Sequence, residues 1–177
     1  METEFKDFPK IARLSRDCIV TEKIDGSNSQ IMISEGGEIL AGSRSRWITP
    51  KEDNFGFAAW VEEHREDLLK MGPGRHFGEW YGSGIQRGYN LKQRRLALFN
   101  VKRWETDRPA GCDIVPVLAE GMFDELNYKQ IMADLLKTGS RISPGFMKPE
   151  GIVIWHVAGN FGLKKTFEKD AEWKGKK

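Results

Sequence analysis

Cysteine and histidine are scarce in this chain of 177 residues, which has two of the first, Cys18 and Cys112, and three of the second, His64, His76 and His156. Neither set has metal-ligand spacing, which excludes a structural zinc site of the finger or ribbon type, and two distant thiols do not make a disulfide framework. No apolar run is long enough for a membrane span and nothing resembles a signal peptide, so a cytoplasmic protein with reduced thiols and no membrane partner is expected. Internal repeats and low-complexity tracts are also missing, and the formal net charge is only +2. What is present is 39% hydrophobic residues with ten Phe and six Trp, enough for one sizeable core, so a single domain over 1–177 is expected.

Apolar alternation predicts strands at Gln30–Ile33, Arg95–Val101, Gly151–Val157 and Gly162–Phe167, with a hairpin turn at Gly36-Gly37. Helices are predicted from about Glu52 to Lys70 and from Asn127 to Lys137, the second with Asn127 and Gln130 spaced as a capping box and Gly139 as its stop. Strands outnumber helices, which points to an α+β fold of antiparallel β-sheets with flanking helices.

The chemistry is concentrated in short segments. Lys23 stands in Thr21-Glu22-Lys23-Ile24-Asp25-Gly26-Ser27-Asn28, directly after a strand-like run and at the mouth of an Asp-Gly turn. An amine attacks only when neutral, and a free lysine has a pKa of about 10.4, so a nucleophilic lysine here needs desolvation, a neighbouring cation or a metal. The bland alternative is a hairpin turn with a solvated lysine. Downstream, Glu79 lies in His76-Phe77-Gly78-Glu79-Trp80-Tyr81-Gly82, and Glu150 opens the apolar run Gly151-Ile152-Val153-Ile154-Trp155. A lysine pair, Lys164-Lys165, follows in a strand-like stretch near the C-terminus. Carboxylates and cations of this kind around one lysine suit a nucleoside triphosphate with its metal.

In their order, these segments resemble the covalent nucleotidyltransferases, which comprise ATP-dependent DNA and RNA ligases and GTP-using mRNA capping enzymes. The likeness runs from about Ile19 to Phe167. Phe77 to Gln86, in which Gly78-Glu79-Trp80 leads into Gly82-Ser83-Gly84-Ile85-Gln86, is most similar to RNA ligase 2-like enzymes. The resemblance implies an ATP-grasp-like nucleotidyltransferase fold and an ATP-dependent RNA ligase with Mg2+ or Mn2+ as its metal. Lys23 then corresponds to the lysine that becomes lysyl-AMP, with Glu22 bordering the adenine through its backbone. Arg44, in Ala41-Gly42-Ser43-Arg44-Ser45-Arg46, corresponds to the arginine of the ribose and phosphate region, and Arg46 to a substitute on the same strand face. Glu79 corresponds to the ribose-binding carboxylate, Phe99 to the ring that stacks on the purine, and Glu150 to the metal carboxylate. Asn28 corresponds to an asparagine that supports chemistry on the RNA, and Lys164 and Lys165 to the lysines that neutralise the α-phosphate.

Two departures keep neighbouring readings open. The closest enzymes carry Lys-x-Lys in the last motif, whereas here the lysines are adjacent and Thr166 takes the third place. Asp25 stands where some RNA ligase 2-like proteins have histidine, so a minimal DNA ligase or a GTP-using guanylyltransferase remains an alternative, as does a non-catalytic nucleotide-binding module. The chain ends about ten residues after the last motif, and neither an OB-fold nor a helical C-terminal domain is expected within it. The expected partners are RNA ends, in a nicked duplex or broken RNA, with DNA as an alternative; the expected state is a monomer, with a partner protein as a possible source of nucleic-acid binding. Arg87, Lys92, Arg94, Arg95, Lys102, Arg103 and Arg108, with Lys169, Lys174, Lys176 and Lys177, form basic clusters suited to phosphate-backbone contact.

Overall fold

The computed structural model of the chain describes residues 5, 7–168 and 170, so the C-terminal lysines Lys169, Lys174, Lys176 and Lys177 lie outside the described residues. The strands are β1 (Asp17–Lys23), β2 (Ser27–Ile33), β3 (Ile39–Gly42), β4 (Trp47–Ile48), β5 (Gly74–Gly82), β6 (Arg94–Leu98), β7 (Cys112–Ile114), β8 (Val117–Met122), β9 (Gly151–His156) and β10 (Phe161–Thr166). The helices are α1 (Phe57–Glu63), α2 (Arg65–Leu69), α3 (Val101–Trp104) and α4 (Tyr128–Thr138). The strands form a four-stranded sheet in the order β10-β9-β1-β8 and a six-stranded sheet in the order β4-β3-β2-β5-β6-β7. All pairings are antiparallel except β6 with β7. This is the expected α+β class, two antiparallel-rich sheets with few helices.

Strand periodicity decides which face each sheet buries. In β2, Ser29, Ile31 and Ile33 point inward while Asn28, Gln30 and Met32 are more exposed, the alternation of a half-buried strand. Ile31 and Ile33 pack with Phe57, Val61 and Leu68 of α1 and α2 and with Trp80 and Leu96 in the largest core cluster. On the four-stranded sheet, Cys18, Val20, Ile152 and Ile154 pack against Met132 and Leu135 of α4. A third cluster, with Ile19, Ile24, Tyr81, Tyr89 and Ala97, joins the two sheets through their other faces.

The helix ends show what the sequence pattern captured and what it missed. Asn127 caps α4 by accepting the Gln130 amide at 3.0 Å, but Gln130 does not close a reciprocal box, because its side chain bonds Asp134 at 2.9 Å. The segment expected as one helix from Glu52 to Lys70 is two short helices beginning only at Phe57. Gly56 is left-handed at φ 71°, and the Asp53 carboxylate accepts the amides of Ala58 and Ala59 at 2.8 and 3.0 Å. The strand expected to reach Val101 ends at Leu98, where Asn100 caps α3.

Candidate functional site

The Lys-x-Asp-Gly segment is not a hairpin. Its three residues after Lys23 carry the chain from the four-stranded sheet into the six-stranded one, so Lys23 closes β1 on the first sheet and Ser27 opens β2 on the second. Each crossover residue is fixed by a different contact. Ile24 is buried in the cluster between the sheets. Asp25 accepts from Arg87 Nε at 2.9 Å, and its own amide donates to the Tyr89 hydroxyl at 2.7 Å. Gly26 runs so close to β5 that a Cβ there would come within 2.4 Å of the Trp80 carbonyl oxygen, and its amide donates to Glu79 Oε1 at 3.1 Å.

Around this corner three of the predicted residues meet. Lys23 Nζ donates to Glu150 Oε2 at 2.5 Å, with both side chains about four-fifths buried (21% and 18% exposed). Glu150 arrives there because Gly151, the first residue of β9, pairs with Lys23. Glu79 reaches the same place from the other sheet, where its pairing with Asn28 lets the Asn28 amide donate to Oε2 at 2.9 Å. Burial pushes the Glu79 carboxyl up to about 7, against the opposing pull of the Lys23 ammonium and the Gly26 amide, and the nearby Glu150 carboxylate adds to the rise. A nucleophile candidate therefore sits between two carboxylates from different strands.

The structure sorts the remaining predicted residues by sheet face. Lys164 pairs with Val153, which pairs with Thr21, so Lys164 shares the face of Lys23. Lys165 pairs with Ile152, opposite Glu22, and its ammonium bonds Asp170 at 3.0 Å. Adjacent strand residues must point to opposite faces, so Lys165 is not brought to Lys23, and Thr166 rather than Lys165 shares the face of Lys164. Glu22 points away from Lys23 for the same reason. Its Oε2 accepts the amides of Arg141 and Ile142 at 2.7 and 3.2 Å, Oε1 is buried without a hydrogen-bond partner among the described residues, and burial raises its carboxyl above the usual range. Its backbone amide donates to the Pro116 carbonyl, so that N–H is already engaged rather than open to a base edge.

Arg44 and Arg46 do not share a strand face. Both lie exposed in the loop between β3 and β4, closed by the Ser43 amide donating to the Arg46 carbonyl at 2.8 Å, and Arg46 forms a surface pair with Glu52 at 3.5 Å. Phe99 lies just past β6 beside Phe77, 41% exposed on the face that carries Glu79, and is not a core residue. Four cations of the basic run after Glu79 are engaged within the fold. Arg95 is bonded to Asp113, Arg94 to the Phe55 carbonyl, Arg103 to the Met71 carbonyl and Arg108 to the Cys112 carbonyl, so much of that charge serves the fold.

Two residues that the motif reading passed over complete the corner. Arg87 bonds Asp25, donates to the Lys148 carbonyl at 3.2 Å and pairs with Glu168 at 3.6 Å, linking the lysine turn to the chain entering and leaving the last two strands. Tyr89 receives the Asp25 amide. Their signal was Arg87-Gly88-Tyr89, immediately after the Gly-x-Gly-Ile-Gln match. Among the described residues, no group of three or more His, Cys, Asp or Glu side chains is arranged to hold a metal by itself, and no helix is long and apolar enough to cross a membrane.

Two sheets thus meet at a lysine turn, with a carboxylate reaching the lysine from each side, and the comparisons with known proteins give this arrangement its family. The chain belongs to the RNA ligase family, whose model matches residues 16–168. Two solved variants of Naegleria gruberi RNA ligase with ATP and Mn share the fold, one at a TM-score of 0.62 and 20% identity, covering 86% of this chain and 49% of that one. The other has a TM-score of 0.66 and 18% identity, covering 88% and 51%. A third structure, the same organism's RNA ligase with PPi, matches at 0.63 and 21% identity, covering 86% and 50%. The chain thus spans about half the length of the solved ligases it matches. No curated protein matches it.

Proposed function

We propose that residues 1–177 form a nucleotidyltransferase domain that catalyses the adenylyl-transfer chemistry of an ATP-dependent RNA ligase, activating a 5′-phosphate end for attack by a 3′-hydroxyl. The observation that carries this reading is the placement of Lys23 Nζ 2.5 Å from Glu150 while Glu79, hydrogen-bonded to Gly26 and Asn28, faces it from the other sheet. Free ATP and RNA ends are the substrates in this reading. The buried free thiols Cys18 and Cys112 suit a cytoplasmic setting.

In the first step the Lys23 amine attacks the α-phosphorus of ATP. A nitrogen–phosphorus bond forms, the bond from that phosphorus to the bridging oxygen breaks, pyrophosphate leaves, and the amine gives up its proton. An ammonium has no lone pair, so Lys23 first passes one proton to an acceptor such as the Glu150 carboxylate it already bonds, and the N–H proton shed on attack goes to solvent. Glu150 is the residue that would hold a divalent cation, Mg2+ or Mn2+, of the kind commonly bound by one or two carboxylates together with substrate phosphates. Such a cation supplies charge neutralisation on the polyphosphate. Glu79 offers two acceptor oxygens to the ribose hydroxyls, Phe99 offers a ring face to the base, and Lys164 adds positive charge near the developing charge on the phosphoryl oxygens. In the later steps the AMP moves from Lys23 to a 5′-phosphate and is displaced as the 3′-oxygen forms the new phosphodiester; Asn28, exposed beside Glu79, is placed to support the RNA end.

Intact-mass measurement after incubation with ATP or GTP and magnesium tests the proposal. One added AMP on the wild-type protein and none on Lys23→Ala is the expected result. A guanylate adduct in place of AMP would move the assignment to the capping enzymes, and adenylate persisting on Lys23→Ala would remove Lys23 as the nucleophile.

A further inference from the structure

One row of side chains crosses the open face of the six-stranded sheet from β6 to β4. Phe99 donates its amide to Phe77, Phe77 pairs with Gln30, Gln30 with Gly42, and Gly42 with Trp47. Residues paired across strands share a face, so these side chains lie side by side on the surface opposite the α1 and α2 core. Phe77 is 51% exposed and Trp47 44%, values that a core role does not explain. The next row carries Asn28, Glu79 and Ala97, so the aromatic row borders the proposed nucleotide site directly.

We propose that Phe77 and Trp47 form a stacking platform for unpaired RNA bases near the end being joined, with Arg75 and the exposed Arg44 and Arg46 supplying phosphate contacts. The choice of RNA as the polymer rests on the ligase reading above.

The platform is built ahead of its ligand. The Trp47 indole lies across Gly42, where a Cβ would stand 2.7 Å from Gln30 and 3.0 Å from the indole ring, so only glycine lets the ring settle onto the sheet. The Arg75 guanidinium lies 5.3 Å from the indole centroid and donates to Gln30 Oε1 at 3.0 Å, which fixes the ring further. Three strand intervals separate Phe77 from Trp47, about 14 Å, so the two rings receive bases of different nucleotides. Aromatic rings accept any base by its flat face, and only unpaired bases have that face free. A strand leaving the Phe99 and Glu79 site would meet Phe77 next and Trp47 beyond it.

The test measures fluorescence anisotropy of a labelled, short single-stranded RNA and of the same sequence as a duplex, without ATP. It uses the wild type, Trp47→Ala, Phe77→Ala and Trp47→Phe. Stacking is worth about 1–3 kcal/mol per base, so each alanine variant should lose about five-fold or more of its single-strand affinity while duplex affinity stays within about two-fold. Trp47→Phe should keep most of the affinity. Self-adenylylation measured in parallel should be unchanged in all three variants, since neither ring touches Lys23. Single-strand binding that survives both alanine substitutions, or an equal loss for duplex RNA, overturns the proposal. A wild type that binds single strands through these rings yet accepts no AMP would refute the ligase reading and leave the platform standing.

Discussion

Replacing Glu79 by glutamine should change how stability depends on pH, by an amount the structure sets. Burial raises this carboxyl from 4.5 to about 7, so the folded protein binds the proton more tightly than the unfolded chain does. Below pH 4.5 both states are protonated and the group contributes no difference. As pH rises from 4.5 to 7 the unfolded chain ionises first, so the folded state progressively loses stability relative to it, and above 7 the loss is complete. At about 1.4 kcal/mol for each tenfold change in proton affinity, the full loss is roughly 3 kcal/mol. Glu79→Gln cannot ionise and lacks that decline. It does surrender part of the hydrogen bonding with Gly26 or Asn28, since both donate to the carboxylate and a glutamine side chain has only one acceptor oxygen, at a cost of about 1 kcal/mol.

The net expectation is a variant close to wild type near pH 5 and about 2 kcal/mol more stable at pH 8. For a chain of this length that is a gap of roughly 4–8 °C in Tm. Thermal unfolding of both proteins from pH 5 to 9 in matched salt measures it, and the difference between the two curves cancels the titrating groups that Glu79 does not interact with. Saturating AMP should flatten the wild-type curve, because ribose hydroxyls donating to Glu79 favour its charged form, and should leave the variant's curve unaltered in shape. Parallel curves for the two ligand-free proteins would refute the reasoning, since they would mean that Glu79 titrates alike in the folded and unfolded chain.

The two adjacent lysines should separate cleanly in a single-turnover adenylylation assay. Lys164→Ala is expected to slow AMP transfer about 10²–10³-fold, the usual consequence of removing one donor from a developing oxyanion, while Lys165→Ala, which loses only an exposed pair with Asp170, stays within about two-fold. Equal losses would mean that strand alternation does not decide which lysine acts. Arg87→Ala leaves Asp25 half-buried without its partner and should lower stability by about 1–3 kcal/mol, measured by urea unfolding. As a positioning residue, Arg87 should also affect the rate of adenylylation more than the KM for ATP, with partial recovery in Arg87→Lys; a loss confined to stability would reduce it to a structural tie.

Sheet periodicity explains most of what could be read from the sequence. Lys23, Glu79 and Glu150 each lie on or beside a strand of clear apolar character, so their neighbourhoods were legible one by one. The family resemblance supplied the order in which they combine. The shared strand face expected of Arg44 and Arg46 is not found, because an i, i+2 relation means a shared face only inside a strand and the Ser43 to Arg46 turn interrupts the strand. The helix expected from Glu52 begins only at Phe57 because the left-handed Gly56 and the Asp53 carboxylate, both breakers of helical pattern, lie within the segment. Glu22 could not be assigned a direction until β1 and β9 were in register, which set its carboxylate against Arg141 and Ile142 and away from Lys23.

The position of Lys23 follows from the crossover rather than from the lysine itself. Three residues carry the backbone from one sheet to the other, and each is held by a different kind of contact: an apolar side chain between the sheets, a carboxylate on Arg87, and a glycine pressed against β5. A longer side chain at Gly26 would collide with the Trp80 carbonyl and push β2 away from β5. The same shift would lengthen the Glu79 bonds to Gly26 and Asn28, because those donors are the last residue of the crossover and the second of β2. Lys23 and Glu79 are therefore placed by one local constraint, while Glu150 is placed independently through the pairing of β1 with β9. Damage at the crossover should disturb Lys23 and Glu79 together, whereas damage to β9 should separate Glu150 from a Lys23–Glu79 arrangement that stays intact.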